Sequence, residues 1–289
     1  MTIATIDIGG TGIKFASLTP DGKILDKAST ATPETLEELL AWLDQRLSER
    51  DYRGIAMSVP GAVHQETGVI EGISAIPYIH GFSWYEALAH HKLPIHLEND
   101  ANCVGLSELL AHPEIENAAC VVIGTGIGGA MIINGKLHRG RHGLGGEFGY
   151  MTTIEPAERL NNWSQLASTG NMVRYVIEKS GQTDWDGRKV YQEAAAGNAL
   201  CQEAIERMNR NLAQGLLNIQ YLIDPDVISL GGSISQNPDF IKGVQKAVDV
   251  FVERYEEYTI APVIQACTYQ ADANLYGALV NWLQEEKQW

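Results

Sequence analysis

The sequence predicts an α/β protein made of two related halves, and three observations carry that reading. The apolar run Ile3-Ala4-Thr5-Ile6 leads into Asp7-Ile8-Gly9-Gly10-Thr11, where an acidic residue leaves a buried strand for a turn of two glycines and a hydroxyl. A second glycine-rich turn, Ile123-Gly124-Thr125-Gly126-Ile127-Gly128-Gly129, follows another apolar run about half a chain later. After each turn the order strand, turn, strand recurs, which marks an internal structural repeat although the copies share few identical residues.

The elements follow in order. Three strands are expected at Ile3–Ile8, Ile13–Leu18 and Ile24–Ala28, with Asp21-Gly22 as the hairpin turn between the last two. Thr32-Pro33 has the favoured cap-then-proline order and predicts a helix start. Leucines 36, 39, 40, 43 and 47 then form one apolar stripe. Gly54–Val59 and Pro94–Leu97 read as strands, the latter ending at Glu98-Asn99-Asp100 before a helix over Ala101–Ala111. The repeat opens with a strand at Ala118–Ile123, a loop at Gly124–Gly129, and strands at Ala130–Ile133 and Lys136–His138 around Asn134-Gly135. From about residue 160 the chain is mostly helical, broken by a strand at Val227–Leu230 and the loop Gly231-Gly232-Ser233; a last helix covers about 273–286. The boundaries expected are a small N-terminal lobe at 1–115, a larger lobe at 116–272, and a C-terminal helix at 273–289 packing back on the first lobe.

Composition narrows the function classes. With 289 residues and 45% hydrophobic content the chain can bury a full core. A formal charge of −15 and the lack of any basic run disfavour nucleic acid, whose phosphates need clustered Lys and Arg. A strand by residue 3 leaves no room for a signal or transit segment, and no apolar stretch approaches the ~20 residues of a membrane span. Cys103, Cys120, Cys201 and Cys267 are scattered through apolar surroundings, as expected of reduced thiols in a cytoplasmic protein.

Both glycine turns are suited to phosphate, because glycine has no Cβ to hold a ligand away from backbone N–H groups. Asp7 then sits where a nucleotide's magnesium needs an oxygen partner. Gly124, Gly126 and Gly129 match the dinucleotide fingerprint in spacing, yet a strand follows them where that motif needs a helix. Neither turn ends in Gly-Lys-Ser/Thr, which excludes a Walker A loop. Two matched loops therefore point to an ATP cleft between related halves.

Asp7-Ile8-Gly9-Gly10-Thr11 with Lys14, Glu98-Asn99-Asp100-Ala101-Asn102, Ile123 to Gly129, and Gly146-Glu147-Phe148-Gly149 together resemble the ROK family of sugar kinases and repressors, over residues 3 to about 281. The resemblance implies the actin-like, ribonuclease-H-like ATPase fold, with two lobes, a central cleft and usually a homodimer. It implies that Gly9, Gly10, Thr11, Thr125 and Gly126 hold phosphates, and that Gly231, Gly232 and Ser233 lie by the adenosine. Lys14 is either a ligand or the strand partner of a nearby acid. The cofactors implied are ATP and Mg2+, the latter held by Asp7 through water. From spacing alone Asp100 is either a helix cap or a catalytic acid; the resemblance makes it the general base that takes the proton of a sugar hydroxyl. Asn99, Gly61, Glu147 and Tyr150 would contact the sugar, Glu147 through charge-assisted hydrogen bonds.

The chain also departs from the family pattern. Gly149-Tyr150 replaces the usual Gly-His, and no cysteine lies between 121 and 200, so no structural zinc is expected. The family's second sugar-binding glutamate would fall near Ser164. Ala75–Gly81 lacks the Asn-Leu pair of typical glucokinases, which favours β-glucoside kinases and zinc-free amino-sugar kinases as the nearer likeness. Tyr78, His80, Tyr150 and Trp163 are candidates for stacking on the sugar or its aglycone. The expected activity is phosphorylation of a hexose or hexoside at the 6-hydroxyl, with β-glucoside, glucose or N-acetylmannosamine as substrate. The competing reading is a catalytically silent sugar-binding regulator. A DNA-binding repressor is disfavoured, because Asp7 already lies in the first loop and leaves no room for a helix-turn-helix.

Overall fold

The computed structural model describes residues 1–72, 74–154, 160–255 and 257–288. In chain order the elements are β1 (Ile3–Ile8), β2 (Gly12–Leu18), β3 (Ile24–Ala31), α1 (Leu36–Leu47), β4 (Gly54–Val59), β5 (Ala62–His64), β6 (Val69–Glu71), α2 (Trp84–Ala87), β7 (Ile95–Asn99), α3 (Asp100–Ala111), β8 (Ala118–Ile123), β9 (Ile127–Ile133), β10 (Lys136–Leu137), β11 (Thr152–Ile154), β12 (Leu160–Asn162), α4 (Trp163–Ala167), α5 (Thr169–Ser180), α6 (Gly187–Ala195), α7 (Ala199–Ile223), β13 (Val227–Gly231), α8 (Pro238–Arg254), β14 (Ile264–Ala266) and α9 (Ala273–Glu285). Among the described residues no helix is long and apolar enough to cross a membrane.

The chain forms two compact units. The first holds Met1–Glu114, Arg139–Gly145 and the stretch from Ala271 onward; the second holds Ile115–His138 and Gly146–Gln270. Each is built on a five-stranded sheet, in the order β3-β2-β1-β4-β7 in the first and β10-β9-β8-β13-β14 in the second. In both, the first two pairings of that order are antiparallel and the last two parallel. The repeat read from the glycine turns is thus a repeat of sheet topology.

In the first unit β1 is buried along its whole length, as a central strand covered on both faces must be. One face packs on Leu39, Leu43 and Leu47 of α1, with Leu36 and Leu40 beside them. The other packs on Leu275, Leu279 and Trp282 of α9, with Ile3, Leu18 and Cys103. Helices α3 and α9 approach so closely that a Cβ on Gly277 would overlap the Cys103 carbonyl. In the second unit Met208, Leu212, Leu216 and Ile219 of α7 meet Val121, Ile123, Ile228 and Leu230 of the sheet. All four cysteines are buried, and none of them forms a disulfide.

Three expectations need correction. The first helix starts at Leu36, capped by Thr35, whose hydroxyl accepts from Glu38 N–H at 3.2 Å; Thr32 has its own hydroxyl committed to the first glycine turn. The strand after the second glycine turn begins at Ile127, so Gly128 and Gly129 are strand residues; a Cβ at Gly129 would press on Phe148 and on the carbonyls of Cys120 and Gly146. Trp163 is no stacking platform. It is 1% exposed, lies against Gly215 of α7, and donates from Nε1 to Asn211 O at 2.8 Å.

Candidate functional site

The first glycine turn is the tip of the β1–β2 hairpin, closed by Gly9 N–H donating to Gly12 O at 3.1 Å. Thr32 clamps it from outside, its Oγ1 donating to Gly9 O at 2.6 Å. A Cβ on Gly9 would stand 2.9 Å from Gly12 O, and one on Gly10 would stand 3.1 Å from the Ala75 Cβ. Space thus demands glycine at position 9 and leaves only a tight fit for a larger residue at position 10.

Asp7 and Lys14 are register partners across that hairpin, which explains their pairing at 3.1 Å. Lys14 also donates to Ala271 O at 2.6 Å, so of the two roles open to it the strand-pair role is the one seen. Asn274, in the first turn of α9, donates from Nδ2 to the other Asp7 oxygen at 2.9 Å. Asp7 is 6% exposed and each of its oxygens already has one partner. An ionised carboxylate offers about four lone-pair positions, so acceptor capacity remains for a metal-bound water. A magnesium nucleotide fits these residues in that manner.

Asp100 stands at the β7–α3 junction. The cap role belongs to its neighbour: Asn99 accepts from Asn102 N–H at 3.1 Å through Oδ1 and donates from Nδ2 to Gly61 O at 3.1 Å. Asp100 occupies the first helical position, with Oδ1 accepting from Ala101 N–H at 2.8 Å. Burial raises its pKa above the ordinary carboxylate value, opposed by that backbone hydrogen bond and reinforced by the charge of Asp7. Behind it, Glu98 is 2% exposed and accepts from Asn99 N–H and Asn102 Nδ2, both at 2.8 Å, and from Arg139 Nε at 2.6 Å.

Asp7 and Asp100 share one cavity of about 520 Å3 in the first unit, lined by Asp7 to Lys14, Ser29 to Ala31, Pro60, Asp100 and Asn274. Asn274 had no signal in the sequence, being 267 residues from its partner. The Ser29–Ala31 wall was missed because β3 runs three residues beyond its expected end.

In the second unit the glycine turn is a three-residue hairpin, Gly124 N–H donating to Gly126 O at 2.9 Å. Ser164 Oγ accepts from Ile127 N–H at 2.9 Å and so braces this turn. Gly170 at the start of α5 packs on Thr125, its N–H donating to Gly124 O at 3.1 Å. Gly231 ends β13, and Gly232 has φ +89° with a Cβ position filled by Ile123 O. Ser233 lines a cavity of about 510 Å3 with Thr169, Asp186, Gly187, Arg188 and Tyr191. Of these only Ser233 was named from sequence. Glu147 is half-buried just before the turn Phe148–Tyr150, and Tyr150 is 72% exposed.

Gly61 has φ +105°, and a Cβ there would lie 3.2 Å from the His80 ring. His80 Nε2 pairs with Ser74 Oγ at 2.7 Å while its buried Nδ1 has no partner among the described residues. Tyr78 donates its hydroxyl to Pro33 O at 2.5 Å and packs on the core of the first unit.

The ROK family matches residues 3–285. The chain belongs to the ROK family. A β-glucoside kinase of Listeria monocytogenes is 35% identical over 99% of each chain. An N-acetylmannosamine kinase of Vibrio cholerae is 27% identical, covering 86% of this chain and 89% of the relative. The crystal structure of a ROK family protein from Streptococcus pneumoniae TIGR4 in complex with sucrose is 88% identical over the whole of both chains, with a TM-score of 0.97. A ROK hexokinase from Thermus thermophilus, 25% identical over 99% of this chain, superposes with a TM-score of 0.86, and the fold is that of the ROK sugar kinases.

Proposed function

We propose that this ROK family chain is an ATP-dependent sugar kinase that phosphorylates a hexose or hexoside, most favourably a β-glucoside, at the 6-hydroxyl. The observation that carries the reading is the placement of Asp7 and Asp100 in one cavity beside the first glycine turn. The full-length likeness to a β-glucoside kinase supports the substrate class. Sucrose, found with the pneumococcal relative, is itself a glycoside and agrees with a site that admits an aglycone.

In this reading Gly10 and Thr11 offer backbone N–H groups to phosphate oxygens, as do Thr125 and Gly126; Gly9, whose N–H closes the turn, lets the phosphate approach by lacking a Cβ, and Gly231, Gly232 and Ser233 border the adenosine. Asp7 holds Mg2+ through water, with Lys14 and Asn274 fixing the carboxylate. Magnesium, when bound, neutralises charge on the phosphates. Asp100 accepts the proton of the attacking hydroxyl, and its raised pKa makes it a stronger base than a free aspartate. Asn99 and Gly61, already joined to each other, with Glu147 and Tyr150, orient the sugar. The resemblance implies a homodimer; the scattered thiols suit the cytoplasm, the charge of −15 disfavours a nucleic-acid partner, and the missing cysteine cluster leaves no place for the family's structural zinc.

The test is ADP release by purified protein with Mg-ATP across cellobiose, an aryl β-glucoside, glucose, N-acetylmannosamine and sucrose. Sugar-dependent turnover with β-glucosides ahead is expected, and Asp100→Asn should fold normally yet lose about 10²–10⁴-fold in turnover. Turnover absent on every sugar while ATP still binds would replace the kinase with the silent regulator. Near-normal turnover in a folded Asp100→Asn would remove Asp100 from the base role.

A further inference from the structure

Away from the Asp7 and Asp100 cavity, the first unit gathers two imidazoles and a carboxylate on its surface. Asp44 lies on α1, held in place because Leu43 and Leu47 beside it are buried in the core. His90 and His91 come from a single tight turn, Ala89–His91, closed by Lys92 in the left-handed region at φ +55°. Both rings aim Nε2 at the same oxygen, Asp44 Oδ1, at 3.0 Å and 2.7 Å, and their centroids are 4.1 Å apart. The three ligand atoms all lie within 4.8 Å of one another, and among the described residues no other such group of His, Cys, Asp or Glu forms. None of the three lines the cavity of the candidate active site.

From this convergence we infer that Asp44, His90 and His91 form a surface site for a divalent late transition ion, Zn2+ in the first instance. Two neutral imidazoles and one carboxylate are a donor set that such ions favour, leaving a fourth position for water. A tetrahedral ion with bonds of about 2.0–2.1 Å holds its ligand atoms about 3.3 Å apart, so the two contacts to Asp44 Oδ1 need lengthen by only about half an ångström. The two that must give are the exposed ones: the side chains of His90 and Asp44 are 56% and 44% exposed, while His91, at 15%, is the fixed member. Binding moves each ring's proton from Nε2, where it faces Asp44, to Nδ1 and strands no buried polar group. The chain's formal charge of −15 also favours cations over its surface. The ion would tie α1 to the turn that leads into β7, so occupancy should stabilise the first unit.

The test uses the untagged full chain, freed of metal, titrated with Zn2+ by calorimetry and with Co2+ by visible absorption. One ion per chain is expected, with the cobalt bands of a four-coordinate site and a raised thermal midpoint in Zn2+. In His90→Gln/His91→Gln the glutamines can still donate to Asp44, so the hydrogen bonds survive while the metal ligands do not. That variant should keep its far-UV spectrum, bind Zn2+ at least about tenfold more weakly, and lose the thermal shift. Asp44→Asn should weaken binding in the same direction. The inference is overturned if wild type takes up no Zn2+, or if the double variant binds as wild type does, which would move the ion elsewhere. The result does not depend on kinase activity.

Discussion

Arg139→Met would remove the cation facing a buried acid of the first unit, Glu98. Glu98 has a side chain 3% exposed, and its Oε2 receives Arg139 Nε at 2.6 Å, with Gln65 Nε2 more distant at 3.4 Å. Arg139 also donates from Nη2 to Asn281 Oδ1 at 2.7 Å and to Glu285 at 3.1 Å. Breaking a fully buried pair costs about 3–5 kcal/mol, because one charge is left without its partner. The Arg139 side chain is 28% exposed, so water can reach part of the gap and about 2–3 kcal/mol is the better figure for this pair. Asn281, itself 1% exposed, loses an acceptor contact worth about 1 kcal/mol, and the exposed Glu285 pair adds little. The expected loss is therefore about 3–4 kcal/mol, read as a shift of the urea midpoint followed by far-UV dichroism, with m values checked because two units need not unfold together. A Glu98→Gln/Arg139→Met cycle should return a coupling of about 1.5 kcal/mol or more. Because Glu98 also holds Asn99 N–H and Asn102 Nδ2, turnover should fall with stability. A loss under about 1 kcal/mol with no coupling would refute the argument, since a buried carboxylate cannot lose its cation so cheaply.

The remaining expectations are simpler. As an acid with a raised pKa, Asp100 makes a contribution to stability that is full below its unfolded value of 3.8 and lost as pH rises through its folded value. As a base it acts only when ionised, so kcat/KM should fall on the acid side at a pH above that of a free aspartate; a limb at or below 3.8 would contradict the raised pKa. Asn274→Ala should cost about 1–2 kcal/mol by urea unfolding and raise KM for Mg-ATP, through loss of the 2.9 Å bond to Asp7. Gly277→Ala should cost about 1–3 kcal/mol or more, because its new methyl must displace the Cys103 backbone. Trp163→Ala should cost about 3–5 kcal/mol, whereas a ligand-stacking tryptophan on the surface would leave stability unchanged.

What the sequence disclosed was whatever chain neighbours decide. A hydrophobic run followed by two glycines specifies a strand and a tight turn, so both hairpins and the repeat of strand, turn and strand were readable, while the five-strand order of each sheet was not. The pairing of Asp7 with Lys14 follows from hairpin register alone. The Thr32-Pro33 start failed because two hydroxyls competed for the cap: Thr32 is held by Gly9 O, a contact 23 residues away, and Thr35 took the role. Trp163 failed for a related reason, since nothing local announces that Gly215 leaves a slot for its ring. Asn274 and Arg139 lie beyond such reasoning altogether, because their partners come from distant elements and no periodicity links them.

The helix that fills the second face of the first sheet has a consequence for synthesis. A ribosome releases Met1–Glu114 long before α9, so Ile3, Leu18 and Cys103 emerge without Leu275, Leu279 and Trp282 to cover them. At 5–20 residues per second that interval lasts on the order of ten to thirty seconds. During it the nascent first unit carries a half-finished core and exposed apolar strand faces. The second unit, apart from Ile115–His138, arises from one continuous stretch and can complete its core earlier. The first half to be translated is thus the last to be finished, and truncating α9 should yield aggregation-prone protein rather than a shorter folded one.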